Sequence, residues 1–326
     1  MKTQMYFKAL LFLFLTISVA SCGDDDDPII PVAGNSITDI ASRNSDFTIL
    51  VSALSRAGLA ATLDGQGPYT VFAPTNAAFS AFLEDNGYTN VNQVPVDALK
   101  EILLNHVVSG AVTSSQLSTG YVKTLAKGSA SATNTLSMFV NTASGVVLNG
   151  GVDNGGATVT TADLLADNGV IHVVNGVIGL PTVVNHALAN PDFSILVQAL
   201  TRNDQPDFVG ILSGTASSPF TVFAPKNSAF VNLLTELGLS SLADVPQATL
   251  ESTLKYHVVA GANVLAASLT NNQSVTTFEG DSFTIGLTGG AKITDYNGRV
   301  SNIVATDVQA SNGVVHVLDK VLLPNL

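Results

Sequence analysis

Residues 69–79 read YTVFAPTNAAF, and residues 220–230 read FTVFAPKNSAF. In both, a run of β-branched and aromatic residues ends at an Ala-Pro step. Proline has no N–H for a strand ladder and pushes the residue before it out of helical space, so a strand must stop there. A polar residue and Asn then lead into Ala and Phe, the pattern of a helix start after a cap. The unit is therefore strand, tight corner, helix, and it occurs twice, 151 residues apart.

Three further landmarks repeat in the same order. Residues 46–54, DFTILVSAL, return as residues 192–200, DFSILVQAL. His106-Val107-Val108 returns as His257-Val258-Val259, and the segment NGVIHV at residues 168–173 returns as NGVVHV at 312–317. Common order at nearly constant offset means that the chain, after its leader, is two copies of one domain, spanning residues 36–181 and 182–326. Each copy is long enough for one core.

The TVFAP corner, the mid-domain His and the terminal NGV-I/V-H-V segment running into Pro181 or Pro324 resemble fasciclin domains. The resemblance covers about residues 36–326. It implies two tandem α+β domains, each a β-wedge with packed helices, and adhesive or scaffolding work outside the cell without a defined chemistry.

Residues 1–21 read as a signal peptide. Lys2 and Lys8 give a positive start, the apolar stretch that follows is too short to span a bilayer comfortably, and Val19-Ala20-Ser21 supplies small residues before Cys22. Cys22 is the single cysteine. It is either a buried free thiol or a lipidation site, and its place behind a signal-like segment and ahead of four aspartates favours lipidation, as in bacterial outer-membrane lipoproteins. Residues 22–35 then form an acidic tether. Asp24, Asp25, Asp26 and Asp27, followed by Pro28 and Pro31, either resemble the surface-export signals of Bacteroidota lipoproteins or are plain linker.

The net charge is −12, which repels phosphate backbones and argues against nucleic-acid binding. A lone cysteine permits no internal disulfide, so each domain stands on its core. The composition, 46% hydrophobic, makes that feasible.

Helical spacing is read for residues 44–54, with the start at Asn44 or Ser45, for residues 76–83 and for residues 96–105. Alternation takes over at residues 135–140, 146–148, 157–161 and 170–174, and in the second copy near 275–278, 282–285, 292–294 and 314–318. Helices first and strands later mean α+β. Residues 113–131 and 270–280 are expected as variable outer loops, the better candidates for partner choice. The four-residue connection at 179–182 is short enough that the copies should touch.

His106, His172 and His316 fall on apolar stripes and read as neutral core residues, their ring nitrogens satisfying buried polar groups. His186 replaces Ile40 of the first copy and reads as a surface or domain-contact residue. None of the histidines has a ligand partner at i+2 or i+4, so no metal is expected. The absence of a G-x-S-x-G elbow and of a P-loop lysine after the glycines at 150–156 leaves no catalytic constellation and no cofactor.

The fasciclin resemblance further implies two partner-contact segments. Tyr256-His257 matches the first, where the first copy departs with Asn105-His106, and Asp163-Leu164 and Asp307-Val308 match the second. The partner is an extracellular protein or glycan, with self-association a further option, and a surface lipoprotein binding a small ligand or glycan is the alternative reading.

Acyl chains stabilise membrane attachment by about 0.8 kcal/mol per buried methylene, so two or more anchor firmly. Cys22→Ala should therefore release the protein from membranes or block its maturation, read by fractionation and intact mass. Wild-type protein recovered soluble with an unmodified thiol would refute lipidation.

Overall fold

The computed structural model describes residues 34–325. The leader, Cys22 and the acidic run at 24–27 lie outside the described residues, and residues 35–326 form one compact unit.

The first repeat opens with α1 (Ile37–Arg43), α2 (Thr48–Arg56) and the short α3 (Ala60–Leu63). The corner strand β1 (Tyr69–Pro74) leads into α4 (Asn76–Asp85) and α5 (Val96–Asn105). Then come β2 (Val107–Ser109), β3 (Gly120–Lys127), β4 (Thr135–Asn141), β5 (Val147–Leu148), β6 (Ala157–Ala166) and β7 (Gly169–Val174). The second repeat has the same order: α6 (Val183–Ala189), α7 (Ser194–Leu200), α8 (Phe208–Ser213), β8 (Phe220–Pro225), α9 (Asn227–Leu237) and α10 (Gln247–Tyr256). Its strands are β9 (Val258–Ala260), β10 (Ser274–Thr276), β11 (Ser282–Gly286), β12 (Lys292–Thr294), β13 (Val300–Ala310) and β14 (Gly313–Leu318).

Local chemistry sets the helix starts. Ser36 and Asp39 form a capping box on α1, and Thr182 with Asn185 does the same for α6. The helix read from Asn44 or Ser45 begins instead as a 3-10 turn, because the Asn44 carboxamide accepts from Asp46 N–H two residues on and closes a turn first. Asn190 and Pro191 build the same entry before α7.

In the first repeat the strands close a barrel in chain order, with β7 lying parallel to β1. The second repeat keeps the neighbours but stays an open sheet, from β10 round to β9. The single pair Val108–Thr124 joins β2 to β3, and at the matching place in the second repeat one backbone bond remains, from Phe278 N–H to the Val258 carbonyl. Each repeat packs two cores. In the first, Phe47, Leu50, Phe79, Leu99 and Ile171 fill the space between helices and sheet, while Phe72, Met138, Val140 and Leu148 fill the barrel. Burial on both faces of β1 explains its unbroken apolar run.

The parallel pairing of the corner strand with the last strand demands glycine. A Cβ on Gly169 would sit 2.0 Å from the Tyr69 carbonyl oxygen, and one on Gly313 would sit 2.2 Å from that of Phe220.

The repeats meet on the outer face of β3 and β4. Residues 113–131, expected as an outer loop, contain β3, in which Thr124 and Ala126 are buried. Tyr121 packs against the second repeat's core and stacks edge-on with His186, centroids 5.5 Å apart. Lys123 donates from Nζ to the Asp307 carbonyl at 2.7 Å and to Ser137 Oγ at 3.0 Å, and Ser137 Oγ accepts from Gln309 N–H at 3.0 Å. Asn154 and Asn185 exchange hydrogen bonds through side chains and carbonyls.

Gly313→Ala should lower stability by about 3 kcal/mol or more, because the new methyl meets a backbone oxygen that cannot turn away. Urea midpoints check this, with Gly179→Ala, whose methyl meets nothing nearer than the Gly155 carbonyl oxygen at 3.5 Å, as the control.

Candidate functional site

The residues that recur in both copies sit at hydrogen-bond nodes. Asn76 accepts from Ile49 N–H at 2.9 Å and donates to the Ser45 carbonyl at 2.8 Å, so it ties the corner helix to the start of α2. Asn227 does the same with Ile195 N–H and the Pro191 carbonyl. Asn168 accepts from Ile37 N–H and donates to the Leu63 and Gly65 carbonyls; Asn312 accepts from Val183 N–H and donates to the Leu212 carbonyl. Thr70 and Thr221 each donate to one loop carbonyl and accept from an N–H two residues later.

The four paired histidines follow the same rule. His106 donates from Nδ1 to the Ile102 carbonyl at 2.7 Å and accepts at Nε2 from Ile178 N–H at 2.8 Å. His257 repeats this with the Thr253 carbonyl and Leu322 N–H. One ring thus joins the end of a helix to the segment that closes its domain. Burial pushes both imidazoles down to about 4. His172 donates from Nε2 to the Val112 carbonyl and stacks on Phe72, and His316 donates to the Val264 carbonyl and stacks on Phe223. Burial lowers the pKa of His316 as well.

Asp163 and Asp307 lie at bulges in β6 and β13 with φ of 63° and 58°. Asp is among the few residues that tolerate that conformation, and the bulge re-aims its carboxylate at the neighbouring loop. Asp163 there accepts from Ser114 N–H and Ser114 Oγ, which lowers its pKa, and Asp307 accepts from Ala266 N–H. Their backbone N–H groups point at Nδ1 of His172 and His316.

The expected contact segments lie largely inside the fold. Tyr256 is fully buried, donates to the Ser282 carbonyl, accepts from Tyr296 N–H, and has its phenol pushed up to about 12 by burial. His257 and Val308 are buried too. A partner docking on the folded surface reaches none of the three, because the core needs them. Leu164 is half-buried against the helical core, which leaves Asp163, whose side chain is 37% exposed, as the accessible member. His186, read as a surface or domain-contact residue, is at the domain contact and fully buried; its Nε2 donates to the Gln309 carbonyl, and burial lowers its pKa to about 4.

Two hollows have ligand interest. One, between α6, α7, α8 and β8, is walled by Val184, Leu196, Phe208 and Phe223 and holds about 40 Å³, far below the few hundred Å³ of a small-molecule site. The other, about 500 Å³, runs between α2, α4 and the turn at Val91–Gln93, with Ser80, Glu84, Tyr88 and Asn90 on its walls. Among the described residues no three His, Cys, Asp or Glu side chains cluster to hold a metal ion.

A family model for the fasciclin domain matches residues 45–181 and 191–324. The chain belongs to the fasciclin-domain family. It is similar to the Synechocystis protein sll1483, 39% identical over 142 residues, which cover 44% of this chain and 72% of that protein. It is also similar to human periostin, 28% identical over 267 residues, or 81% of this chain but only 29% of periostin. Among solved structures it resembles a FAS1 domain pair from the insect cell adhesion molecule Fasciclin I, 20% identical, TM-score 0.48, covering 83% of this chain and 92% of that one.

Sequence reasoning missed the junction residues Tyr121, Lys123, Ser137 and Gln309. The one difference between the copies there, Gln309 at the place of Leu165, is a weak signal in a strand that also carries Ser301, Asn302 and Thr306.

Because His106, His186 and His257 stay neutral in the fold down to about 4, the unfolded chain takes up protons first as pH falls through about 6.5. Unfolding free energy should fall by about 3 kcal/mol per histidine between pH 6.5 and 4, and His257→Gln should remove about one proton from the slope. Urea midpoints that stay flat across that window would contradict this protonation scheme.

Proposed function

We propose that this fasciclin pair is a non-enzymatic adhesion or interaction protein, held at the outer membrane of a Gram-negative cell by lipid on Cys22 and presenting its outer faces to an extracellular protein or glycan. The observation that carries the reading is where the shared residues go. Asn76, Asn168, His106, His172 and their counterparts are used up in bonds that hold the domain, so no recurring side chain is left poised over a cleft. Each of the four paired imidazoles donates to a backbone carbonyl and accepts from a backbone N–H, whereas a general base needs a free nitrogen beside substrate.

The rigid junction supports display over reaction. Two domains fixed together hold weak sites in constant relation, and many anchored copies then bind through multivalency without one strong contact. The alternative, a glycan or small-ligand binder, has its one specific support in the groove beside Tyr88.

The test is capture from the native surface by the full chain, presented once as monomer and once as a dense array. The array should retain a partner at least about tenfold better than the monomer, and chelators should leave retention unchanged. Equal retention by both, loss in chelator, or turnover of a sugar or ester would overturn the reading. Tyr88→Ala separates the alternative, since only a groove-bound glycan loses affinity with it.

A further inference from the structure

The junction between the repeats joins two different surfaces of one module. The first repeat contributes the outer face of β3 and β4; the second contributes α6 and the bulged end of β13. Since the repeats share one fold, each also carries the surface it does not use inside the chain.

On the second repeat, β10 and β11 occupy the places of β3 and β4. Buried Val275 and Phe283 match Val122 and Met138, which puts Ser274, Thr276, Ser282 and Thr284 on the outward side. This face is flat and hydroxyl-rich, with Lys292 and Val300 on the strands beside it. On the first repeat, α1 and the end of β6 occupy the places of α6 and the end of β13. Leu165 stands where Gln309 is buried, and it is 66% exposed; Ile40 stands where His186 meets Tyr121.

Resting on the adhesion reading, we propose that a second copy of this chain docks head to tail, the β6–α1 face of one molecule covering the β10–β11 face of the next. The contact repeats the geometry that already joins the two domains, with Leu165 over Ser282 as Gln309 lies over Ser137. It joins unlike surfaces, so it makes no symmetric dimer and each added copy offers a free face to the next. Thr276 takes the place of Lys123, so its hydroxyl donates to the Asp163 carbonyl where Lys123 donates to that of Asp307. Ser274 and Thr284 replace the aromatic pair Tyr121 and Phe139, so this contact is weaker than the one within the chain and forms mainly between crowded, anchored copies.

Cysteine pairing tests it on full chains carrying Cys22→Ser, so that introduced thiols are the only ones, held at high density on vesicles by an N-terminal tag in place of the lipid. Leu165→Cys mixed with Ser282→Cys should give disulfide-linked dimers about tenfold above either variant alone and above Leu165→Cys mixed with Leu237→Cys. The double variant should give a ladder at whole multiples of one chain. Equal yields for all pairs would overturn the proposal, as would a dimer formed by Leu165→Cys alone, which marks a symmetric contact. Array capture measured in parallel separates the two readings: capture without the ladder overturns this contact only, and the ladder without capture overturns the adhesion reading only.

Discussion

The parallel contact between the corner strand and the last strand is the constraint on which each domain depends. It joins residues about a hundred apart, Tyr69 to Gly169 and Phe220 to Gly313. Loop closure of that length grows only slowly in cost, but nothing local rewards it, so the contact must be secured by bonds that form only when the whole domain is in place. Asn168 and Asn312 supply them. Each presents its carbonyl to the incoming strand and its side chain to the first helix and the end of the third, and so joins three separate elements at one point.

The histidines close the remaining gaps. A helix end leaves carbonyls without partners, and a chain leaving a sheet leaves N–H groups without partners. The neutral imidazoles of His106 and His257 satisfy one of each. Lysine or arginine has no acceptor and a carboxylate has no donor, so neither serves both ends. That two-sided requirement is why a titratable residue sits in an apolar stripe.

Much of this was legible before any coordinates. Alternation gave β4, β12 and β14 closely, and the helix at Val96–Asn105 falls where Pro95 starts it. Short β2 and β9 were hidden because each begins one residue after a helix, so Val107 and Val258 read as the continuation of the helical apolar stripe. β3 was hidden because one side of Gly120–Lys127 faces the barrel and the other faces the second repeat, so Tyr121 and Thr124 are both covered and the polar-apolar alternation disappears. The domain junction is invisible for the same reason, since Ser137 and Gln309 look like ordinary surface polars until a neighbouring domain covers them. The burial of Tyr256 was hidden as well, because a phenol reads as a half-exposed group until its partners are seen, and here it holds Ser282 and Tyr296 inside the sheet.

The two copies have diverged in step with their positions. His186 and Gln309 stand where a neighbour covers them and Ile40 and Leu165 where none does within the chain, while the covered sheet carries the aromatic pair Tyr121–Phe139 and the uncovered one Ser274 and Thr284. Leu165 breaks this pattern, being apolar on an open face where a solvated terminal repeat would carry a polar residue. The position homologous to the buried Gln309 is thus apolar and open in the first repeat. The duplication therefore explains why one copy of the junction lies inside the chain while each repeat keeps the half it does not use there on its surface.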